Sequence, residues 1–539
     1  MSLFNNHPEL DFTMREMLID WLINIYFDQN VEISNRSLVS GIMMIDRYIY
    51  LEKTSISRKM YQGIGVICLN LACKLDDTKI LGLDYCEYIC AGIYTADILS
   101  NLEKRILKVF KFGLHFKNIL HYIKLISIKE NVDDTVYVFA RLMLITILFK
   151  TNYLTIKTKS MAKNLMNFSK WFVNNKNVEI KNPIHIYFFT ELRRYITHPH
   201  FTSINRLAKE FRIFSLIKSR IPNIIYLEKP NVFSKEIIPI ELQNSLTIEY
   251  TENQLNNMNV IEKLGIGSFG LVNKVKFDNT EIALKTHHPD DSKEIIVESL
   301  REINNMIILD HPNIIKMHGY YYSQGITHIG LELCDMPLYK KLDKGNLSPE
   351  LKKSFIIQLL CGLKYLHNNN IIHRDLTSSN VLIKGDTLKI CDFGCSRFVY
   401  DKKIIGNYSL DVCSVRYRAI EILNGILPYN EKIDIWSCAC LIAEILGEKF
   451  LFRGRNEIEV LDSINRLLGK TVGSGRVGFS MLEKHYPNET QIIYKMLDFD
   501  PSNRPNAKLV LKIFSECFVA QSELLVNNQK TTIDKNQIS

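Results

Sequence analysis

The order of apolar and polar positions divides the chain into a helical first half and a mixed second half. Between residues 10 and 216, apolar side chains recur at spacings of three and four, which is typical of amphipathic helices. Polar breaks at 27–30 and 129–134 separate these helices, and glycines are sparse. The pattern predicts an all-α region that is long enough for two bundles of about 100 residues each.

The pattern changes after the helical half. Pro222, Pro230 and Pro239 interrupt it between residues 217 and 256, so a linker is predicted there. Strand-like alternation follows in 260–275 and 281–285, and helical patterns dominate after about residue 340. Strands followed by helices indicate an α+β unit with a small sheet lobe and a larger helical lobe. Residues 520–539 are polar and are predicted to form a frayed tail.

Composition narrows the class of protein. Of the 539 residues, 46% are hydrophobic and 23% are charged, which is an ordinary globular balance. The net charge of +9 is small for this length, so neither a nucleic-acid nor a membrane partner is expected. The most apolar stretch, 136–149, is too short to span a membrane, and no secretory signal is visible at the N-terminus. The twelve cysteines form no Cys-x-x-Cys pair, which argues against a zinc site. We expect an intracellular protein, cytoplasmic or nuclear.

A glycine-rich segment opens the α+β unit. Residues 264–272 read G-x-G-x-x-G-x-V from the first glycine onward, and glycines let a backbone approach phosphate groups closely. This pattern alone is weak, because turns and dinucleotide folds also use it. Lys285 follows on a predicted strand, and Glu302 lies on a predicted helix from which it could pair with that lysine. The combination predicts a site for nucleotide phosphates.

Two later segments supply the remaining chemistry of phosphoryl transfer. Residues 373–380 read His-Arg-Asp-Leu-Thr-Ser-Ser-Asn, and Asp392-Phe-Gly follows twelve residues after Asn380. One aspartate is needed to orient the attacking hydroxyl and accept its proton, and an asparagine and a second aspartate are needed to hold divalent metal against phosphate oxygens. Oxygen ligands of this kind suit magnesium. The order and spacing of these features predict a phosphotransferase.

Residues 258–519 therefore resemble a eukaryotic protein kinase domain. The resemblance implies that ATP and Mg²⁺ are bound, that Asp375 is the catalytic base, and that Asn380 and Asp392 hold the metal. It also implies that Lys285 contacts the α- and β-phosphates. The residues implied to surround ATP are Leu264, Gly265, Ile266, Gly267, Ser268, Phe269, Gly270, Leu271, Val272, Ala283, Lys285, Glu332, Cys334 and Leu382. Glu421 stands in the segment that corresponds to the family's Ala-Pro-Glu, with Arg504 placed to pair with it.

The segments at 301–314 and 451–458 resemble those of cyclin-dependent kinases. Ser409 stands at the position of that family's activating phosphorylation. The three positions that bind the phosphate in this family are occupied by Arg301, Arg374 and Arg397. Three residues depart from the family pattern. Thr377 replaces a lysine that contacts the transferred phosphate, Phe269 replaces a tyrosine that receives an inhibitory phosphate, and Arg416 replaces a tryptophan beside the substrate site.

Residues 10–116 resemble a cyclin N-terminal box, and 117–216 are interpreted as a second cyclin-like repeat. Lys74 and Glu103 stand where cyclins have the lysine and glutamate that grip a kinase. A helical stripe is formed by Met14, Met17, Leu18 and Trp21. It could be either a docking groove for substrate motifs or plain core packing. Asn24 stands where an acidic groove residue is expected, which weakens the case for basic docking motifs.

The predicted fold is thus multidomain, an all-α cyclin fold of two helical repeats followed by a bilobal α+β kinase fold. The resemblance implies a serine/threonine kinase that acts on protein substrates and carries its own activating cyclin domain. The cyclin could pair with the kinase of its own chain or with that of a second copy in a swapped dimer. The alternative is an inactive pseudokinase whose cyclin half binds a separate kinase. A scaffold that recruits substrates through the helical stripe is compatible with either.

Overall fold

The computed structural model describes most of the chain. The described residues are 3–77, 79–114, 118–174, 182–197, 202–220, 248–267, 270–287, 294–323, 325–345, 347–398, 414–426, 429–447, 450–469 and 480–519. Contacts divide them into two compact units. The first unit comprises the described residues within 1–244 together with those within 289–296 and 322–326, and the second comprises the remainder. Ser268, Phe269 and Ser409 lie outside the described residues.

The first unit is built from helices. They are α1 Phe12–Tyr26, α2 Asn35–Leu51, α3 Tyr61–Asp76, α4 Leu83–Ile89, α5 Ala96–Phe110, α6 Ile119–Lys129, α7 Asp134–Leu148, α8 Thr158–Asn174, α9 Pro183–Thr197, α10 Ser203–Glu210 and α11 Phe214–Arg220. Side chains cap several N-termini: Asp11 accepts from the Met14 backbone N–H, and Asn118 accepts from that of His121. The predicted helical half and its polar breaks are confirmed. Helices α6 to α11 occupy the region of the second cyclin-like repeat, an assignment that stays a prediction.

The second unit begins with a sheet-rich part. Its strands and helices are β1 Ile248–Glu249, α12 Glu252–Asn256, β2 Asn259–Gly267, β3 Gly270–Phe277, β4 Thr280–His287, α13 Val297–Met306, β5 Met317–Ser323 and β6 Ile326–Glu332, of which 322–323 and 326 are counted with the first unit. The strands form one six-stranded sheet in the order β1-β5-β6-β4-β3-β2. Strands β2, β3 and β4 pair antiparallel, which places Val272 opposite Lys285. The predicted small sheet lobe is confirmed.

The rest of the second unit is mostly helical. Its elements are β7 Met336–Pro337, α14 Leu338–Asp343, α15 Pro349–Asn368, β8 Ile371–Ile372, β9 Val381–Lys384, β10 Thr387–Ile390, β11 Arg397–Phe398, α16 Ile420–Leu423, α17 Lys432–Gly447, α18 Glu457–Leu468, α19 Ser480–His485, α20 Pro487–Met496 and α21 507–519. Helix α17 is buried over nearly its whole length, so it forms the core of this lobe. In the part of the chain that the structure describes, no helix is both long and apolar enough to cross a membrane.

The end of the predicted linker is structured as part of the sheet lobe. Strand β1 pairs in parallel with β5, with Ile248 opposite Gly319. The next residue, Tyr250, is 3% exposed and packs in an apolar cluster that includes Val275 and Leu284. A capping box between Thr251 and Gln254 then starts α12. Sheet pairing and apolar burial therefore anchor residues 248–256 to the sheet lobe, within a segment whose prolines predict a linker.

Candidate active site

The structure brings Lys285 and Glu302 together. The Lys285 Nζ atom on β4 lies 3.0 and 2.7 Å from the two carboxylate oxygens of Glu302 on α13. It also lies 3.0 Å from Oδ1 of Asp392. Burial alone would lower the pKa of the lysine, but the two carboxylates together raise it above its ordinary value. The ammonium is therefore held charged at the position where nucleotide phosphates are expected.

Residues 373 and 374 of the predicted catalytic loop are held by one buried carboxylate. Asp434 on α17 accepts hydrogen bonds from the backbone N–H groups of His373 at 2.8 Å and Arg374 at 2.9 Å. It also contacts His367 Nε2 at 2.9 Å. Burial opposes its ionisation, but these hydrogen bonds lower the pKa of Asp434. The charged Asp434 therefore fixes the backbone of this loop, in which Arg374 adopts a φ of 68°.

Asp375 and Asn380 are joined directly. The Asn380 side-chain amide donates to Asp375 Oδ2 at 2.7 Å and to the Asp375 carbonyl at 2.9 Å. The Ser414 backbone N–H donates to Asp375 Oδ1 at 3.2 Å. Burial raises the pKa of Asp375, against the effect of His373 and with that of Asp392. A raised pKa makes this carboxylate a better proton acceptor.

The oxygens near Asp375 fit a magnesium ion that also binds phosphate. Asn380 uses its amide nitrogen for Asp375, which leaves its oxygen available as a ligand. Although burial opposes it, Lys285 lowers the pKa of Asp392, so this carboxylate is ionised. Magnesium commonly takes one or two protein oxygens together with substrate phosphates. Among the described residues, no group of three or more His, Cys, Asp or Glu side chains is arranged to hold a metal ion by itself.

The expected walls of the nucleotide site lie on the sheet and on the segment that follows β6. Leu264, Gly265 and Ile266 lie on β2, and Gly267 pairs with Gly270 of β3. At Gly270 a Cβ atom would lie 2.1 Å from the Thr286 carbonyl oxygen, so this position requires glycine. The other described members are Leu271 and Val272 on β3, Ala283 on β4, Glu332 and Cys334 at and after the end of β6, and Leu382 on β9.

Thr377 does not replace the charge of the family's lysine. Its side chain is 2% exposed, and its hydroxyl accepts a hydrogen bond from the Asn380 backbone N–H at 3.2 Å. The hydroxyl therefore shapes the catalytic loop. Loss of a cation from this position costs on the order of 3 kcal/mol of transition-state stabilisation if nothing compensates.

Three buried arginines form a positive cluster. Arg301, Arg374 and Arg397 are each at most 8% exposed. Burial strongly lowers the pKa of Arg301, and repulsion from the neighbouring Arg397 and Arg374 adds to this effect. An anion bound among them would relieve this repulsion. Ser409, the predicted phosphorylation site, lies outside the described residues, so its pairing with these arginines stays a prediction.

A buried ion pair links α16 to the segment before α21. Arg504 donates to both carboxylate oxygens of Glu421, at 2.8 and 2.7 Å. Its guanidinium also lies over the ring of Trp436, 4.9 Å from the centroid. This is the pairing that the sequence predicted for these two residues.

In the first unit, Lys74 and Glu103 meet the segment that leads into α13. The Lys74 Nζ atom lies 2.7 Å from Glu103 Oε1, 2.6 Å from Glu294 Oε2 and 3.1 Å from the Ile295 carbonyl oxygen. The Ile295 backbone N–H donates to Glu103 Oε2 at 3.0 Å. Lys74, Glu103 and Ile295 have no measurable exposure. Helix α13, which carries Glu302, begins two residues after Ile295.

Further contacts in this unit involve residues that the sequence did not single out. The Tyr322 hydroxyl donates to Glu103 Oε2 at 3.4 Å, and its ring packs edge-on against Phe112. Lys104 Nζ lies 3.0 Å from the Ser323 hydroxyl. Glu294, Tyr322 and Ser323 each follow their partners by about 200 residues in sequence, so no local pattern marks these contacts.

The helical stripe on α1 is not one buried surface. Leu18 is 6% exposed, whereas Met17 is 61% exposed and Met14 and Trp21 are half-buried. Arg15 is buried instead, because Asp46 and the carbonyls of Phe149 and Leu148 satisfy its guanidinium. Plain core packing therefore accounts for Leu18 but not for Met17, and the docking groove stays a prediction. Asn24 is exposed.

His287 is a residue near the Lys285–Glu302 pair that sequence reasoning missed. It lies two residues after Lys285, on the same face of β4, and is fully buried. Its Nδ1 atom is hydrogen-bonded to the Ser299 hydroxyl on α13, and its Nε2 atom lies 3.7 Å from Glu302 Oε2. If the serine hydroxyl donates to Nδ1, the Nε2–H faces the carboxylate favourably. The period-two strand pattern could have drawn attention to this position.

Two family models match the chain. The family model of the protein kinase domain matches residues 258–514, and that of the cyclin N-terminal domain matches residues 1–115. Two proteins of Acanthamoeba polyphaga mimivirus are similar over nearly their whole length. "Putative serine/threonine-protein kinase L673" is 31% identical over 93% of this chain and 97% of its own. "Putative serine/threonine-protein kinase L268" is 32% identical over 96% of this chain and 99% of its own.

Proposed function

The chain belongs to the protein kinase family, with a cyclin domain ahead of the kinase domain, and from this premise we propose a cyclin-dependent-type serine/threonine kinase that is activated by its own cyclin domain. The observation that carries the proposal is the assembled Lys285–Glu302–Asp392 cluster. In this family, activity requires that lysine–glutamate pair.

In this account each residue has a defined role in transfer of the γ-phosphate of ATP to a protein hydroxyl. Asp375 orients the hydroxyl and accepts its proton, and its raised pKa favours that step. Lys285 stabilises negative charge on the phosphates. Asn380 and Asp392 would hold Mg²⁺, which when bound supplies further charge neutralisation at the phosphate oxygens.

The contacts of the first unit support activation by the cyclin domain. Lys74 and Glu103 bind the side chain and backbone of residues 294–295, and these residues continue directly into the helix that carries Glu302. Holding this segment would favour the helix position in which Glu302 meets Lys285. Pairing in cis is proposed over the swapped dimer, because a single copy of the chain can satisfy these contacts. Size-exclusion chromatography with light scattering separates the two, since a monomer at all concentrations excludes the swap.

Phosphorylation of Ser409 is proposed as a second level of control. The cluster of Arg301, Arg374 and Arg397 supplies the cations that a phosphoserine requires. Treatment with an activating kinase, followed by mass spectrometry and an activity assay, tests this. A Ser409→Ala variant with unchanged activity would contradict it.

The rival function, a pseudokinase that regulates a separate kinase through its cyclin half, is favoured by one observation. Thr377 leaves the position of the family's lysine without a positive charge. The assembled Lys285, Asp375 and Asp392 oppose this rival.

One assay distinguishes the two functions. Purified full-length protein is incubated with γ-labelled ATP, magnesium and a histone-type substrate, beside an Asp375→Asn variant. Transfer by the wild type that is lost in the variant and on chelation of magnesium supports the kinase. No transfer by the wild type, even after treatment with an activating kinase, would contradict it and favour the pseudokinase.

A further inference from the structure

A cavity of about 520 Å³ lies beside the catalytic loop in the second unit. Its walls come from α14, the catalytic loop, the residues after Ser414 and the segment between α17 and α18. They include Ser378, Arg416, Phe450, Arg453 and Arg455. Three of these five residues are arginines, and one of them replaces the tryptophan of cyclin-dependent kinases.

Arg416 is fixed within this cavity by two contacts. Its Nε–H donates to the Gly454 carbonyl at 3.0 Å, and its guanidinium lies 4.7 Å from the centroid of the Phe450 ring. Within the described part of the chain, its two terminal nitrogens have no hydrogen-bond partner. Because only the Nε–H and one face of the guanidinium plane are in contact, both terminal NH2 groups remain available to a ligand. Their fork geometry suits carboxylate and phosphate oxygens.

The acidic residues of the cavity wall do not cancel the arginines. Glu459 accepts hydrogen bonds from the Arg455 backbone N–H at 2.8 Å and from Asn456 at 3.1 Å. Glu444 is buried and accepts from the Tyr417 hydroxyl at 3.1 Å, and its burial raises its pKa to about 8. Glu444 therefore carries less negative charge at neutral pH than an ordinary glutamate does. The other carboxylate of the cavity wall belongs to Asp343. Three guanidinium groups therefore face the two carboxylates of Glu459 and Asp343, which leaves an excess of positive charge.

The cavity is close to the position of a substrate hydroxyl. Ser414 donates its backbone N–H to Asp375, and Arg416 follows two residues later. Ser378, another wall residue, follows Asp375 by three residues. Two residues of an extended substrate peptide span about 7 Å. A peptide whose hydroxyl lies at Asp375 can therefore place a side chain one or two residues away in this cavity.

We propose that this cavity binds an anionic side chain, a carboxylate or a phosphate, within two residues of the acceptor hydroxyl, and that Arg416 is the residue that selects it. The chain would then prefer acidic or already phosphorylated sites instead of proline-directed ones. This proposal rests on the proposed kinase function.

The test uses the full-length protein and peptides with one serine acceptor. Four positions are varied, the two before the serine and the two after it. Each carries alanine, glutamate, phosphoserine, proline or lysine in turn. Both kcat/KM for phosphorylation and Kd from fluorescence anisotropy are measured. Glutamate or phosphoserine at one position is expected to improve both parameters about tenfold over alanine, as a charge-assisted hydrogen bond allows. Comparing the glutamate peptides with the phosphoserine peptides shows whether the cavity prefers a carboxylate or a phosphate.

Variants of Arg416 decide the assignment. Arg416→Ala should abolish the preference, and Arg416→Glu should transfer it to lysine. The matched control is Arg466→Ala, because Arg466 is an exposed arginine on α18 that is paired with Asp462 and is absent from the cavity wall. That control should keep the preference, and thermal unfolding checks that each variant is folded.

The outcomes also separate this proposal from the proposed function. If the wild type phosphorylates no peptide, the kinase function is contradicted. The Kd values from fluorescence anisotropy then decide by themselves whether the cavity selects anions. Equal values for glutamate, phosphoserine and alanine at all four positions would overturn the proposal. So would a wild-type preference for proline, or an unchanged preference in Arg416→Glu.

Discussion

Replacing Lys74 by methionine tests whether the first unit controls the kinase through residues 294–295. Methionine keeps much of the side-chain volume but removes the ammonium that lies 2.7 Å from Glu103 and 2.6 Å from Glu294. Burial alone would lower the pKa of Lys74, but these two carboxylates raise it, so the group is charged. The variant leaves two carboxylates close together and without their cation.

The structure sets the expected size of the effect. Lys74 and Glu103 are 0% exposed at their side chains, and Glu294 is 11% exposed. Removing one partner of a buried ion pair costs about 3–5 kcal/mol. If that loss falls on the bound state of residues 294–295, the equilibrium constant for holding this segment falls by roughly two to three and a half powers of ten, since each 1.4 kcal/mol is about tenfold. Kinase activity should therefore fall at least about tenfold.

The assay is the initial rate of γ-phosphate transfer, with amide hydrogen exchange over residues 294–306 as a second readout. Lys79→Met is the matched control, because Lys79 pairs with Glu32 at 2.6 Å but both side chains are about two-thirds exposed (66% and 67%). Exposed pairs contribute about 0–1 kcal/mol, so this control should keep its activity. Adding Glu294→Gln to Lys74→Met should recover part of the loss. A folded Lys74→Met protein with the activity of the control and unchanged exchange would refute the reasoning.

Three other predictions follow from the second unit. His287→Ala and Ser299→Ala should each lower kcat at saturating ATP about tenfold, because either removes a buried hydrogen bond between β4 and α13; a double variant that loses as much again would show that the two act separately. Arg504→Met should destabilise the protein by about 3–5 kcal/mol in thermal unfolding, because it leaves the buried Glu421 carboxylate unpaired; an unchanged melting temperature would contradict this. Activity should rise with pH through the raised pKa of Asp375, because only the ionised carboxylate accepts a proton; a flat profile of kcat/KM in mildly acidic buffers would argue against its role as base.

Much of the fold and of the site's composition could be predicted from the sequence because local signals carry them. Helical periodicity and polar breaks placed the helices of the first half, and alternation placed strands β2 to β4. The phosphate and metal residues stand in short segments whose spacing is itself the signal. The pairing of Lys285 with Glu302 could be anticipated because a strand and the following helix are close in the chain.

What the sequence did not indicate depends on contacts between distant residues. Arg15 lies outside the apolar stripe predicted on α1 and is nevertheless buried, because Asp46 and two carbonyl groups accept its hydrogen bonds. The partners of Lys74 lie more than two hundred residues away at 294–295. Tyr250 lies in a segment whose prolines predicted a linker, yet its strand pairs with β5. No periodicity encodes such pairings, since each depends on the assembled fold.

The central claim is that the cyclin domain activates the kinase domain of its own chain. The most direct measurement mixes two full-length variants, Asp375→Asn, which keeps the cyclin contact, and Lys74→Met, which keeps the catalytic residues. Activity of the mixture is compared with that of each variant alone and with that of the wild type. Activation in cis predicts that the mixture is no more active than the sum of its parts. Recovery of a substantial fraction of wild-type activity on mixing would contradict the claim and establish pairing between chains.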